Sequence, residues 1–234
     1  MPEQFADIDW AEETEGGCYS AADFTRISFR GARLADCRFE DCTFLNCNFD
    51  SATLQECRFD GCKFYDAENE SGCSFKFAQL TGSTFDHCVL TMCDFSRTVL
   101  YGVEMTGSQA QGAAFSDATS SKTVGSSVQL NGATITDCNL SFADFSGAWL
   151  KESDLSRNRL THAIFDDACL EQVSLVDCEL HGMEAKGIML AGADLRGSQL
   201  DGLDIRDVDM TGVRINDFQQ SVLLEAIGII VESS

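Results

Sequence analysis

Residues 36–65 read DCRFEDCTFLNCNFDSATLQECRFDGCKFY. Every fifth residue is large and apolar: Phe39, Phe44, Phe49, Leu54, Phe59 and Phe64. Two positions before each stands a small residue: Cys37, Cys42, Cys47, Ala52, Cys57 and Cys62. The other three positions of each five are mostly polar or charged. A helix repeats its apolar face every ~3.6 residues and a half-buried strand every ~2, so this pattern is neither. A short fixed period marks a solenoid, in which each repeat buries its apolar side by stacking on the next.

Outward from this stretch the phase holds from Phe24 to Phe64. The next centre, Phe75, comes eleven residues later instead of ten. The segment between, Tyr65-Asp66-Ala67-Glu68-Asn69-Glu70-Ser71-Gly72, is therefore expected as a loop pushed out of the solenoid. A second block runs from Phe75 to Phe115 and weakens at Ser120. Residues 121–132, beginning Ser121-Lys122-Thr123-Val124-Gly125, are small, polar and Gly-rich and are expected as a second loop. The gap from Ser120 to Ile135 is fifteen, which keeps phase, so Val128 and Leu130 could stay in register within a shorter loop. The third block spans Ile135 to Ile215, and Phe or Leu fills twelve of its seventeen centres.

Two inward positions in every five suit a chain that turns a corner every five residues, so four sides make a square coil of twenty. The expectation is an all-β, right-handed quadrilateral parallel β-helix over 20–218, with loops at 65–72 and 121–132. About nine coils at a rise of ~4.8 Å give a rod of roughly 43 Å. Residues 1–19 form an acidic preface in which Phe5, Ile8 and Trp10 can cap the first turn, because an open β-edge needs cover. Residues 219–234 change character. Asp217 can cap a helix over about 219–227, Gly228 suits its stop, and Ile229 to Val231 suggest a short strand. Val222, Leu223, Leu224, Ile227, Ile229 and Ile230 offer more apolar surface than one end cap needs. A two-fold dimer is expected through them, with an intramolecular cap as the alternative.

The net charge is −22, which opposes direct binding to nucleic acid or to an anionic membrane and favours a basic partner. The plainer account is that acidity keeps a stackable β-protein dissolved. No apolar run is long enough to span a bilayer, and the acidic start lacks the basic and apolar blocks of a signal peptide, so a cytoplasmic protein is expected. Ten of the twelve cysteines sit in the small slot, which makes them core residues rather than metal ligands or disulfide partners. Cys37 and Cys57, twenty apart, are the pair that could bridge adjacent coils.

The arrangement of blocks resembles the Qnr quinolone-resistance proteins of the pentapeptide-repeat family. The likeness rests on the eight-residue break after Cys62-Lys63-Phe64 and the second break before Ile135-Thr136-Asp137-Cys138-Asn139-Leu140-Ser141. It rests also on Gln111-Gly112-Ala113, Leu203-Asp204-Ile205-Arg206 and the Leu223-Leu224 ending. The resemblance implies binding to DNA gyrase and topoisomerase IV and their protection from quinolones. Two features depart from the pattern: the acidic preface is longer, and the second loop is Ser- and Gly-rich where bulkier and more basic residues are expected.

The composition is compatible with that reading. Setting aside the six acids of residues 1–19 leaves about −16 on the rod. That is one net charge per ~3 Å, against one per ~1.7 Å for B-DNA. Residues twenty apart share a side, so Asp144, Glu184 and Asp204 are expected to line up, as are Asp154 and Asp194. Such rows suit docking as a DNA mimic on a basic, DNA-binding saddle, with the two loops choosing the partner. Passive surface insertions are the alternative for both loops. The expected mechanism destabilises the complex of drug, enzyme and cleaved DNA, with no covalent step. An enzyme is not expected: His87, His162 and His181 face outward on different coils, and no phosphate-binding glycine loop occurs. No cofactor is called for. Two other readings stay open: an acidic decoy protecting a different nucleic-acid enzyme, and a purely structural rod.

Overall fold

The computed structural model describes residues 3–7, 10, 15–125, 128–201, 203–206 and 208–231. The chain coils through four sides, named A to D here in chain order. On side A the rungs run Gln4, Asp23, Thr43, Lys63, Val89, Gln109, Asn139, Arg159, Glu179 and Gln199, each paired in parallel with the next. Side D runs in the same way from Cys18 through Arg38, Arg58, Thr84, Glu104, Thr134, Asp154, Ser174 and Asp194 to Arg214. This is the parallel β-helix that the period of five predicts. Each rung bonds to both neighbours: the Thr43 N–H donates to Ala22 O at 2.9 Å and the Phe44 N–H to Lys63 O at 2.7 Å.

The centres fill the axis as ladders of rings. On side B, Phe29, Phe49, Phe75, Phe95, Phe115, Phe145 and Phe165 stack face to face with centroids 4.6 to 5.1 Å apart. That spacing is the rung spacing itself, so each coil supplies one layer of core. The preface joins the ladder instead of only covering it. Gln4–Ala6 adds a rung beside Asp23–Thr25, and Phe5 stacks on Phe24 at 4.9 Å. Trp10 lies 5.4 Å from Phe29, while Ile8 is outside the described residues.

The small slot does more than fit a small side chain. At the corner between sides B and C the main chain closes itself, as where Ala52 N–H donates to Phe49 O at 3.0 Å. At the corner between sides D and A, side chains supply the bonds. Cys62 Sγ donates to Phe39 O at 3.3 Å, Ser108 Oγ to Phe85 O at 3.2 Å and Cys178 Sγ to Leu155 O at 3.1 Å. Ser108 Oγ also accepts from Cys88 N–H at 2.9 Å. Asn158, 1% exposed, accepts from Cys138 N–H at 2.8 Å and donates to Ile135 O at 2.6 Å and Leu155 O at 2.8 Å. Cysteine in this column is therefore a weak donor to a buried carbonyl as well as a small apolar residue. None of the twelve cysteines is joined in a disulfide, and eleven are buried.

Corners require a left-handed residue two positions after many centres. Asp41, Asn46, Ser51 and Gly61 take φ of 52, 55, 58 and 61° there. Phe77, Met92 and Phe142 occupy the same conformation at 60, 56 and 61° while 49, 53 and 63% exposed. An L residue in this region costs about 1–2 kcal/mol, and Gly, Asn and Asp bear it best.

Candidate partner-binding surface

The two interruptions are β-hairpins. Tyr65–Asp66 pairs antiparallel with Ser71–Gly72, and Ser121–Val124 with Val128–Asn131. The first lengthens the step between rungs to 26 residues (Asn48 to Ser74) and the second to 30 (Gln109 to Asn139). The first follows a side A centre, Phe64, and the second a side C centre, Ser120. They leave the rod at opposite corners and do not form one patch.

In the first hairpin Asp66 organises the turn. It is buried and accepts from Glu68 N–H at 2.9 Å, Asn69 N–H at 3.3 Å, Asn69 Nδ2 at 2.7 Å and Asn46 Nδ2 at 2.7 Å. The Asn69 and Asn46 amides hold its carboxyl below the usual carboxylate range. Gly72 lies so close to the next coil that a Cβ would meet the Met92 and Cys93 backbone. Tyr65 and Ser71 are half-buried at the base, so Ala67, Glu68, Asn69 and Glu70 are what the hairpin presents outward.

The second hairpin presents a different chemistry. Val124 and Val128 face each other across the strands at 46 and 55% exposure, and Leu130 pairs with Lys122. Val128 and Leu130 thus belong to the hairpin and not to the coil, contrary to the in-phase expectation. Gly125 takes φ of 65° at the turn. Ser121 Oγ is 2.9 Å from Thr119 Oγ1 at the base, and Thr123 is exposed. Lys122, the one cation of 121–132, has its Nζ 5.7 Å from the Tyr101 ring.

The carboxylate rows exist but are broken. Asp144 and Glu184 share a side B ladder with Ile164 between them, and Ser174 stands between Asp154 and Asp194. Burial pushes the Asp144 carboxyl up, but bonds from Ser146 and Ser116 outweigh it and hold it below the ordinary range. Arg196 at 2.7 Å and Arg214 at 3.2 Å neutralise Asp194. The Arg206 guanidinium lowers Asp204 to about 2. Residues that flank one centre point outward together, so the Asp-X-Arg spacing pairs acid with base along the chain.

The C-terminal turn is capped one residue earlier than expected. Asn216 precedes the 3₁₀ turn Asp217–Gln219 and the helix Gln220–Ala226. Its N–H donates to Gln219 Oε1 at 2.7 Å. Gln219 Nε2 in turn donates to Leu195 O at 2.9 Å and Ser198 O at 2.7 Å, closing the corner between sides D and A at that end of the solenoid. Leu223 is buried and Val222 and Leu224 half-buried, while Ile227, Ile229 and Ile230 are exposed. Gly228 ends the helix with φ of 86°, but Ile229 to Val231 form no strand.

Among the described residues no group of three or more His, Cys, Asp or Glu could hold a metal, and no helix is long and apolar enough to cross a membrane. The histidines are less isolated than their sequence positions imply: His162 stacks on Phe142 at 5.2 Å and lies 5.9 Å from His181.

Sequence profiles of pentapeptide repeats match residues 24–68, 78–117, 138–177 and 174–212. The quinolone resistance pentapeptide repeat protein QnrB96 of Scandinavium goeteborgense is 34% identical over 96 residues, 41% of this chain and 42% of that one. The aligned stretch thus spans about two fifths of the length of that curated relative. Solved structures of QnrB1, a plasmid-mediated fluoroquinolone resistance protein, are similar throughout. A trypsin-treated variant is 30% identical with TM-score 0.76 over 100% of both chains. The full-length protein is 32% identical with TM-score 0.76 over 91% of this chain and 100% of that one. With its period of five, its two hairpins and this end-to-end likeness, the chain belongs to the pentapeptide repeat family and, within it, to the Qnr quinolone-resistance proteins.

Proposed function

We propose that this protein binds type II topoisomerases, DNA gyrase and topoisomerase IV, in the cytoplasm and protects them from quinolones. It acts by destabilising the complex of drug, enzyme and cleaved DNA, without catalysis of its own and without binding nucleic acid. The observation that carries this reading is the whole-length likeness to QnrB1, both chains covered completely. The net charge of −22 supports approach to a DNA-binding saddle, as a mimic of the duplex in mean charge. The broken rows argue against a match of individual carboxylates to phosphates, so Asp144, Glu184 and Asp204 contribute field more than contact. The hairpins carry the choice of partner: Glu68, Asn69 and Glu70 on the first, and Val124, Val128 and Leu130 beside Lys122 on the second. Two copies associate through Ile227, Ile229 and Ile230, which one chain leaves exposed.

The test is supercoiling by purified gyrase in ciprofloxacin, titrated with this protein. Rescue is expected at concentrations below any inhibition, and its absence at every concentration refutes the proposal. Removing Asp66–Ser71 or Lys122–Asn131 restores the twenty-residue step and isolates the hairpins from the scaffold. Each deletion is expected to abolish rescue with the fold retained; full rescue removes that hairpin from the account. In sedimentation, Ile227→Asp with Ile230→Asp is expected to give monomers.

A further inference from the structure

Side B differs from the other sides in what borders it. Along the corner between sides A and B runs an exposed apolar ridge. Met92 lies over Gly112, where a Cβ would come within 2.7 Å of its Sδ, and Phe142 follows on the next rung. The Phe142 ring stacks on His162, which lies over Gly182. Glycine at 112 and 182 gives each larger neighbour room to lie along the rod. The corner between sides B and C is charged: Arg97 sits 5.7 Å over Phe77 and pairs with Asp117 at 3.3 Å, and Asp167 lies over Gly187. Between the corners the floor mixes the small residues Ser96, Ala114, Ser116 and Ser146 with Asp94, Asp144, Ile164 and Asp166. A groove there is lined by Lys76, Phe77, Ser96, Arg97, Ser116 and Asp117.

The geometry points to side B as a docking trough for a cationic amphipathic helix of a partner protein. Side B and its charged corner, from residue 74 to residue 187, hold six carboxylates against three cations. Asp94 is paired with Lys76 and Asp117 with Arg97, which leaves Asp144, Asp166, Asp167 and Glu184 against Lys186, a net charge of −3. The partner must therefore carry lysine or arginine toward the charged corner and apolar side chains toward Met92 and Phe142. A strand has no purchase, because the rungs of side B bond to one another along the axis and offer no free edge. A helix does. The ridge from Met92 to His162 takes three steps between four rungs, ~14 Å at ~4.8 Å per step, which is between two and three turns of a helix at ~5.4 Å per turn. Bulky residues in left-handed corners serve recognition here, since Asn46 holds the same corner at φ of 55° without exposing an apolar group.

The probe is a labelled helical peptide of Lys, Leu and Ala with its leucines in one stripe, compared with the same composition scrambled to abolish the stripe. The full-length chain is expected to bind the striped peptide at least tenfold tighter. Met92→Asn with Phe142→Asn, residues suited to those corners, is expected to remove the preference. Equal binding of both peptides by the unaltered chain overturns the inference by reducing it to bulk charge, as does a variant that keeps the preference. A photo-crosslinker on the stripe, which needs no variant, is expected to label Met92 or Phe142; labelling confined to other sides overturns it. If the double variant instead abolishes self-association in sedimentation, the occupant is a second copy and the helix is refuted. No arm uses gyrase, so loss of the topoisomerase reading leaves each result interpretable.

Discussion

Replacing Asn158 with alanine tests whether the small slot is a matter of size or of hydrogen bonding. The side chain is buried and makes three bonds to main-chain groups, Cys138 N–H, Ile135 O and Leu155 O, at 2.8, 2.6 and 2.8 Å. Leu155 O keeps a second donor in Cys178 Sγ at 3.1 Å, so alanine orphans two groups and not three. A buried polar group left without its partner costs about 1–3 kcal/mol, giving about 2–6 kcal/mol for Asn158→Ala. Serine stands at this slot at 108 and 198, where its hydroxyl accepts from Cys88 N–H and Cys178 N–H, so Asn158→Ser should cost only about 1 kcal/mol. The assay is urea unfolding followed by circular dichroism, with the slope m compared to check that one transition is retained. Alanine and serine variants within about 0.5 kcal/mol of each other would refute the hydrogen-bonding account and return the slot to size alone.

Three further outcomes are expected. Only Cys18 is exposed, and burial pushes the Cys93 and Cys178 thiols up, so one thiol should react promptly with Ellman's reagent and eleven only after unfolding; a second prompt thiol contradicts the packed ladder. Gly72→Ala, whose Cβ would strike the Met92 and Cys93 backbone, should lower Tm more than Gly125→Ala, where nothing lies within 4 Å; the reverse order would unseat the first hairpin from the coil. Asp94, Asp144 and Asp194 titrate below their ordinary value in the folded chain, so the unfolded chain binds more protons as pH falls. Their stabilisation is complete above about pH 4 and lost below it, and Asp194→Asn should flatten that slope in acid titrations followed by circular dichroism.

The coil was legible because every centre points inward, and a period survives any local irregularity that preserves its phase. That same property concealed part of the second hairpin. Its ten extra residues are two whole repeats, so Val128 and Leu130 looked in register, whereas the first hairpin's six could not hide. Counting twenties put Asp144 on one ladder with Glu184 and Asp154 with Asp194, and the same count places Ile164 and Ser174 between them as breaks in the rows. Arginines two residues further along, at 196 and 206, cancel the last acids through a spacing that the count of twenties ignores. The helix start slipped from Asp217 to Asn216 because both residues suit a cap and only the Gln219 contact separates them. Phe77, Met92 and Phe142 carry a readable signal, large apolar residues at a position otherwise given to Gly, to Ala21 and to polar or charged residues.

The two hairpins also show how this scaffold keeps count. Twenty-six and thirty residues between neighbouring rungs serve as well as twenty, so the coil registers corners and ignores whatever leaves and returns at one of them. The rod behaves as a clock face on which excursions take no time. New surface can be added at any corner without retuning the core, and two such additions sit on opposite edges here. Change inside the coil has no such freedom: a single inserted residue within a side would rotate every later side chain off its column, from core to solvent, until the next corner absorbed it.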